Sequence, residues 1–194
     1  MSYGYGKRGM ELEEMIELSN EQYMYKNRAL IQKIPTPIKV TDIDNNTGKI
    51  KSGFYEKKST VDFLGVYRRV SIAFDAKSTS VETRFDLSNV KKHQIQYLNR
   101  HSNCGGISFL LIYFSTLDES YVLPFGLLKK YWDNRLKDNG RKSIPYSEIA
   151  KDKFKVKSKN GVILDYLTIL DNTLLNFWFD IFIKKVWFFN KFIL

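Results

Sequence analysis

The stretch VDFLGVYRRVSIAFDAKS, Val61 to Ser78, decides the fold, because β-branched and aromatic residues recur along it between turn and charged residues. We expect two antiparallel strands joined by a tight turn near Gly65. On the second strand Asp75 and Lys77 are two residues apart, so their side chains share one face. A hairpin that turns at Gly65 or slightly beyond would bring the carboxylate of Asp62 back beside Asp75.

These charges suit a metal site. Two carboxylates, with a backbone carbonyl between Asp75 and Lys77, offer only oxygen donors, which favour hydrated Mg²⁺ or Mn²⁺ over zinc. A metal there can polarise a phosphate and lower the pKa of its water, while Lys77 orients that water or neutralises developing charge. The pattern is typical of phosphodiester hydrolysis. The alternative is an ordinary Asp–Lys surface pair at the end of a strand.

The flanking segments predict an α/β domain. Upstream, apolar spacing indicates a helix from Glu11 to Tyr25, followed by an extended segment and a hairpin whose turn is DNNTGK, Asp44 to Lys49. Downstream, SNVKKHQIQYLNRH predicts a helix capped by Ser88 or Asn89. The apolar run GGISFLLIYFS predicts a central strand buried on both faces, and SYVLPF a neighbouring strand. The segment GLLKKYWDNRLKDNG predicts an amphipathic helix that ends at Gly140. Together these segments predict a mixed sheet.

Composition narrows the classes of partner. The chain has 194 residues, with 31 Lys and Arg against 21 Asp and Glu, giving a net charge of +10 at pH 7. That balance favours a polyanion, either nucleic acid or an anionic membrane surface, although charge also serves solubility. The single cysteine, Cys104, excludes an intrachain disulfide and a multi-cysteine zinc site. The first ten residues have no apolar segment typical of a secretory signal, so we expect a cytoplasmic protein.

Several stretches resemble one known family in their order and spacing. The chain is similar to the RecU Holliday-junction resolvases, also called penicillin-binding-protein-related factor A, within the restriction-endonuclease-like PD-(D/E)-x-K nucleases. The resemblance covers about residues 7 to 170 and rests on KRGMELEE (7–14), KIPTPIKV (33–40), STVDFLGVY, FDAKS and KKHQIQ (59–96), YWDNRLKDNGRKSIPYSEI (131–149) and ILDYLTIL (163–170).

The resemblance implies a role for each matching residue. It implies that Asp62, Asp75 and Gln94 hold the metal, and that Lys77 is the catalytic lysine. Possible outer-shell positions are Glu13 and Thr60. One departure concerns Asp75, where the family mostly has Glu, and a side chain shorter by one carbon can shift the position of the metal.

The resemblance also implies a restriction-endonuclease-like mixed sheet flanked by helices, with a protruding β-hairpin stalk at about residues 37–55. The hairpin is a few residues shorter than usual. We expect a flexible basic arm at 1–10, a nuclease domain at 11–170, and an aromatic-rich extension of unknown role at 171–194. The candidate DNA-binding residues are Arg8, Lys39, Lys49, Lys51, Lys57 and Lys58, with Lys7 beside them. The alternative for the stalk is a solvated hairpin.

The function expected from this resemblance is resolution of four-way DNA junctions in recombination and repair. It implies a homodimeric endonuclease that uses Mg²⁺, with Mn²⁺ as a substitute, and that contacts other recombination proteins but no membrane. One alternative is a flap or duplex nuclease of the same fold. Another is a junction-binding or recombinase-modulating protein without catalysis, in which Asp75 serves only structure.

Some polar residues carry weaker hypotheses. We expect His93 and His101 to contact solvent or phosphate rather than a metal. A basic cluster could contact DNA or form a solvated helix face, and it comprises Lys129, Lys130, Arg135, Lys137, Arg141 and Lys142. In the last residues charged side chains interrupt the apolar runs, so the tail is not expected to span a membrane.

Overall fold

The computed structural model describes residues 3–56 and 60–171, with side chains from residue 11 onward. The helices are α1 (Tyr3–Tyr25), α2 (Lys92–Asn103), α3 (Phe125–Asn134) and α4 (Tyr146–Ile149), and residues 167–171 are also helical. The strands are β1 (Ala29–Lys33), β2 (Ile38–Ile43), β3 (Ile50–Tyr55), β4 (Phe63–Tyr67), β5 (Val70–Thr79), β6 (Arg84–Asp86), β7 (Ile107–Phe114), β8 (Glu119–Pro124), β9 (Ser143–Pro145) and β10 (Lys155–Val156). Two 3₁₀ turns occupy Leu87–Asn89 and Asp152–Phe154.

A six-stranded mixed sheet forms the centre, in the order β1-β4-β5-β7-β8-β10. Strands β5 and β7 run parallel, in register from Ile72 opposite Ile107 to Thr79 opposite Phe114, and the other pairs run antiparallel. Strand β7 lies between β5 and β8 and is buried from Ser108 onward. The predicted mixed central sheet flanked by helices is therefore confirmed.

Each face of the sheet has its own apolar core, because strand residues alternate between the faces. Ile72 and Phe74 of β5 face α1, where they pack with buried side chains that include Leu12, Ile16, Phe63, Phe109 and Tyr166. Ala73 faces α2 and α3, where it packs in a second core that includes Val61, Leu98, Leu110, Phe125 and Leu128. Residues Asp75 and Lys77 continue the Ala73 row, so they belong to the face covered by α2.

The turn between β4 and β5 lies at Arg68 and Arg69, not near Gly65 as predicted. Both arginines have positive φ, 47° and 67°, as in the two-residue turns that fit the twist of a hairpin. Gly65 instead lies within β4, opposite β1. A Cβ on Gly65 would lie 2.4 Å from the carbonyl oxygen of Leu30 and 2.7 Å from Cα of Ile31, so its role is close approach of β1.

Three helix boundaries also differ from the expectation. Helix α1 begins at Tyr3, so residues 3–10 are helical where we expected a flexible arm. Helix α2 begins after Lys91, because Ser88 and Asn89 belong to the preceding 3₁₀ turn. Helix α3 ends at Asn134, and residues 135–142 form a loop that contains Gly140.

Strands β2 and β3 form a separate two-stranded hairpin outside the central sheet, as predicted for the stalk. Their pairing runs from Ile38 opposite Tyr55 to Ile43 opposite Ile50, and every residue of both strands is exposed. The predicted turn is present, because the Asp44 carboxylate accepts the N–H groups of Asn46 and Thr47. The predicted extension beyond Asp171 lies outside the described residues. No helix in the part of the chain that the structure describes has both the length and the apolar character to cross a membrane.

Candidate active site

Asp75 lies on β5 facing α2, and its side chain is fully buried. One carboxylate oxygen, Oδ1, accepts a hydrogen bond of 2.8 Å from Nε2 of Gln94 and lies 3.8 Å from Nζ of Lys77. The other, Oδ2, is buried and has no hydrogen-bond partner among the described residues. A buried carboxylate oxygen without a donor is costly, so this atom is the place where a ligand would be stabilising.

The environment of Asp75 favours its protonated form. Burial raises the pKa of Asp75 to about 8; the nearby Lys77 charge lowers it, and the charge of Asp62 raises it further. Carboxyl groups with such raised pKa values are concentrated at functional sites, because a structure kept only for stability would pair them fully.

Asp62 is held beside this group by the backbone of β5. Pairing between β4 and β5 ends at Phe63 opposite Phe74, and the next free N–H on β5 is that of Ala76. Oδ2 of Asp62 accepts that N–H at 2.9 Å. Asp62 therefore lies close to Asp75 and Lys77, as predicted. The hydrogen bond that holds it there comes from Ala76, the residue between those two.

Gln94 is oriented by the start of α2. Its Oε1 accepts the N–H of Lys91 at 2.9 Å, which leaves Nε2 to donate to Asp75. Sequence analysis did not find the contact with Lys91, although a Gln three residues into a helix is a known signal for this arrangement. In this geometry Gln94 positions Asp75, and its role as a metal ligand stays a prediction.

The donor set fits a hard ion such as Mg²⁺ or Mn²⁺ better than zinc. Asp62 and Asp75 supply carboxylates, and Oδ2 of Asp75 has no competing donor in the described chain. No group of three or more His, Cys, Asp and Glu side chains that could hold a metal occurs among residues 3–56 and 60–171. Mg²⁺ typically uses one or two carboxylates and keeps several waters, which matches a two-carboxylate site.

The structure does not bring the two possible outer-shell residues to the carboxylates. Glu13 lies on α1, where its Oε2 is 2.9 Å from Nζ of Lys33, a residue that Glu17 also binds. Thr60 is exposed, two residues before Asp62. Their outer-shell roles stay predictions.

The candidate DNA-binding lysines of the stalk are exposed. Lys39, Lys49 and Lys51 lie on or beside β2 and β3, and Lys51 is 3.4 Å from the Asp44 carboxylate. The side chain of Arg8, together with Lys57 and Lys58, lies outside the described residues.

His101 packs against the protein rather than against solvent or phosphate, which corrects the expectation for this residue. Its Nδ1 lies 2.8 Å from Oγ of Ser108 and its Nε2 lies 2.9 Å from Oγ of Ser71. Since Ser108 donates its own hydrogen to the Leu98 carbonyl, it accepts from Nδ1 of His101. Burial lowers the pKa of His101. The ring therefore fastens the end of α2 to the sheet.

Comparison with known proteins gives a consistent result. The family described as Recombination protein U (RecU) matches residues 7–172. Relatives from several bacteria carry the name Holliday junction resolvase RecU. The protein from Oenococcus oeni is 44% identical over 86% of this chain and 85% of the relative. The proteins from Leuconostoc mesenteroides and Staphylococcus aureus are 40% and 38% identical, over 88% and 89% of this chain and 83% and 84% of theirs.

A solved structure, of the Holliday junction resolvase Hjc from Archaeoglobus fulgidus, is also similar in part. It has a TM-score of 0.38 and 9% identity, over 68% of this chain and 88% of that one.

Proposed function

The chain belongs to the RecU family, and from this premise we propose that it is a Holliday junction resolvase: an endonuclease that uses a divalent metal, Mg²⁺ or Mn²⁺, to cut four-way DNA junctions in recombination and repair. The observation that carries the proposal is the buried carboxylate of Asp75, with one oxygen lacking a donor in the described chain, beside Asp62 and Lys77.

Each residue of the candidate active site has a distinct proposed role. Asp62 and Asp75 would hold the metal, and a bound Mg²⁺ would supply Lewis acidity toward the scissile phosphate and a lower pKa for water. Lys77 is partly exposed and keeps its ammonium group 3.8 Å from Asp75, where it can neutralise charge that develops on a phosphate oxygen. Gln94 holds Asp75 in one orientation from the first turn of α2.

A junction needs two opposed cuts, and this supports a two-fold symmetric homodimer with one such site in each subunit. The exposed stalk hairpin carries lysines suited to phosphates that converge at a crossover, where contacts fix position without reading sequence. Light scattering of the purified protein, with and without junction DNA, measures the subunit number directly.

The decisive experiment compares a labelled four-way junction with a linear duplex of the same sequence, each in Mg²⁺ and in EDTA. Paired symmetric nicks that occur only on the junction and only with metal support the proposal. The variants Asp75→Asn and Lys77→Ala should lose cleavage, whereas Asp152→Asn, an exposed carboxylate on a 3₁₀ turn, should retain it. Equal cutting of both DNAs would instead indicate a duplex nuclease, and binding without cutting a non-catalytic junction protein.

A further inference from the structure

The loop at residues 135–142, which follows α3, has a surplus of positive charge. It contains Arg135, Lys137, Arg141 and Lys142 against the single acid Asp138. Three other cations of the domain are paired instead: Lys129, Lys151 and Lys155 pair with Asp133, Glu148 and Glu119. Among the described side chains, none of the four loop cations forms an ion pair. A concentration of unpaired cations of this kind is an attractive site for a polyanion.

This loop has a defined shape. The N–H of Lys137 donates to the Asn134 carbonyl at 3.1 Å, and the N–H of Gly140 donates to the Lys137 carbonyl at 2.8 Å. A Cβ on Gly140 would lie 2.0 Å from the Asn134 carbonyl oxygen, so the loop closes tightly against the end of α3. The four cations are therefore presented by an ordered turn, which reduces the entropy lost when they bind a ligand.

One wall of a cavity of about 380 Å³ is formed by this loop. The cavity lies between Trp132, Arg135, Leu136 and Lys142 on one side and residues 86–88 and Val90 on the other. The one acid in this lining is Asp86, whose carboxylate is paired with Arg84 at 2.9 Å. The Arg135 guanidinium stacks 3.6 Å from the centre of the Trp132 ring and donates from Nη1 to the Trp132 carbonyl. Stacking fixes the plane of the guanidinium and leaves further N–H groups for a phosphate.

Leu136 supports the same kind of ligand. Its side chain is 81% exposed between Arg135 and Lys137. An apolar side chain flanked by cations fits the sugar edges of a DNA groove while the cations reach the phosphates on either side.

The loop is connected to the candidate active site. The carbonyl of Lys142 accepts the N–H of Leu87 at 3.0 Å, and β9 pairs with β6 just before Leu87. From Leu87 the chain runs through Lys91 to Gln94, which binds Asp75. A duplex seated on the loop therefore lies on the α2 and α3 face of the sheet, as Asp75 does.

We propose that the 135–142 loop is a second DNA-binding site. It binds the phosphate and sugar backbone of one duplex arm of the junction, while the stalk contacts the crossover. The proposal rests on the proposed function for its substrate. The contact does not depend on base sequence, and it supplies affinity rather than chemistry.

The test is the salt dependence of DNA binding in EDTA, where no cleavage occurs. The variant Arg141→Gln/Lys142→Gln should bind a labelled four-way junction about 10- to 100-fold more weakly at 0.1 M salt, and the slope of log affinity against log salt should fall by about 2. The matched control Lys153→Gln/Lys157→Gln removes the same charge from two exposed lysines outside the loop that, like the loop cations, form no ion pair with a described side chain. It should bind like the wild type.

Equal affinity and slope for the loop variant and the wild type would overturn the proposal, and so would an equal loss in the control variant. If the wild type cuts no junction, the proposed function fails, but the binding comparison in EDTA still decides whether the loop contacts DNA.

Discussion

Two buried aspartates, Asp75 and Asp165, differ in how many hydrogen bonds their carboxylates accept. Both are at most 1% exposed. Oδ1 of Asp165 accepts from Tyr23 at 3.0 Å and from Arg28 at 2.9 Å, and its Oδ2 accepts from Asn160 and Thr168. Asp75 has a single hydrogen bond from a side chain, that of Gln94, and a lysine 3.8 Å away.

The pKa values follow this difference in hydrogen bonding. Burial acts to raise the pKa of Asp165, but hydrogen bonds from Thr168, Arg28 and Tyr23 hold it below its ordinary value. Burial raises the pKa of Asp75 to about 8, because the charge of Lys77 offsets the cost of burying the carboxylate only in part. Both oxygens of Asp165 thus accept hydrogen bonds, and those from Tyr23 and Arg28 join this part of the chain to the end of α1 and the residues after it. Oδ2 of Asp75, in contrast, accepts no hydrogen bond from a described residue and can bind a ligand. The number of hydrogen-bond donors therefore separates Asp75, the proposed metal ligand, from the structural carboxylate of Asp165.

The largest effect we expect is on cleavage by Asp75→Asn. The substitution keeps the shape of the side chain but removes the charge that would hold a divalent metal, so the single-turnover rate on a four-way junction should fall by at least about 1,000-fold. Asp152→Asn serves as the exposed control. If the variant retains a tenth or more of the wild-type rate, the Asp75 carboxylate is not required for cleavage.

For Asp165→Ala we expect a loss of stability. The change leaves Arg28 without its carboxylate and removes one of the two acceptors near the Tyr23 hydroxyl, the other being the Leu164 carbonyl. The free energy of unfolding in urea should therefore fall by about 3–5 kcal/mol. Replacement of the exposed Asp152 by alanine should change it by less than about 0.5 kcal/mol. A loss of under about 1 kcal/mol for Asp165→Ala would contradict its structural role.

The orienting contact of Gln94 predicts a smaller effect on activity. Gln94→Met removes the donor to Asp75 and the acceptor for Lys91, and it should reduce junction cleavage about 10- to 100-fold, as loss of a group that orients a metal ligand does. Gln96→Met, at an exposed position on the same helix, is the matched control. Unchanged cleavage by Gln94→Met would mean that Asp75 needs no positioning from α2.

The smallest effect concerns pH and stability. In the metal-free protein the folded state holds the proton of Asp75 to a higher pH than the unfolded chain does, so stability falls as pH rises from the ordinary range of an aspartate through about 8. Asp75→Asn should remove this dependence, so its gain in the free energy of unfolding over the wild type should be larger at pH 8 than at pH 5. Urea titrations at pH 5 and pH 8 measure it; a stability gain that is equal at both values would contradict the assignment.

Local sequence patterns predicted much of the fold, and the failures have physical causes. The buried run of β7 and the Asp44 turn follow from hydrophobicity and turn chemistry, which are local. The turn at Arg68 and Arg69 was missed because both adopt positive φ, which arginine rarely does, while Gly65 is required by the approach of β1. Contacts between segments distant in sequence have no local signal.

The same limit applies to the candidate site. Strand alternation placed Asp75 and Lys77 on one face and Asp62 near them, whereas the donor from Ala76 to Asp62 depends on where β4 stops pairing. The four donors to Asp165 were not predicted, because Tyr23 and Arg28 lie 142 and 137 residues from it in the chain.

The most direct test of the contrast between the two carboxylates is calorimetric titration of Mn²⁺ into the wild-type protein and into Asp75→Asn, without DNA. If the unpaired oxygen of Asp75 is a metal-binding atom, the wild type should bind Mn²⁺ at this site and the variant should lose that binding while remaining folded. Equal Mn²⁺ binding by the two proteins would contradict the assignment of Asp75 as a metal ligand.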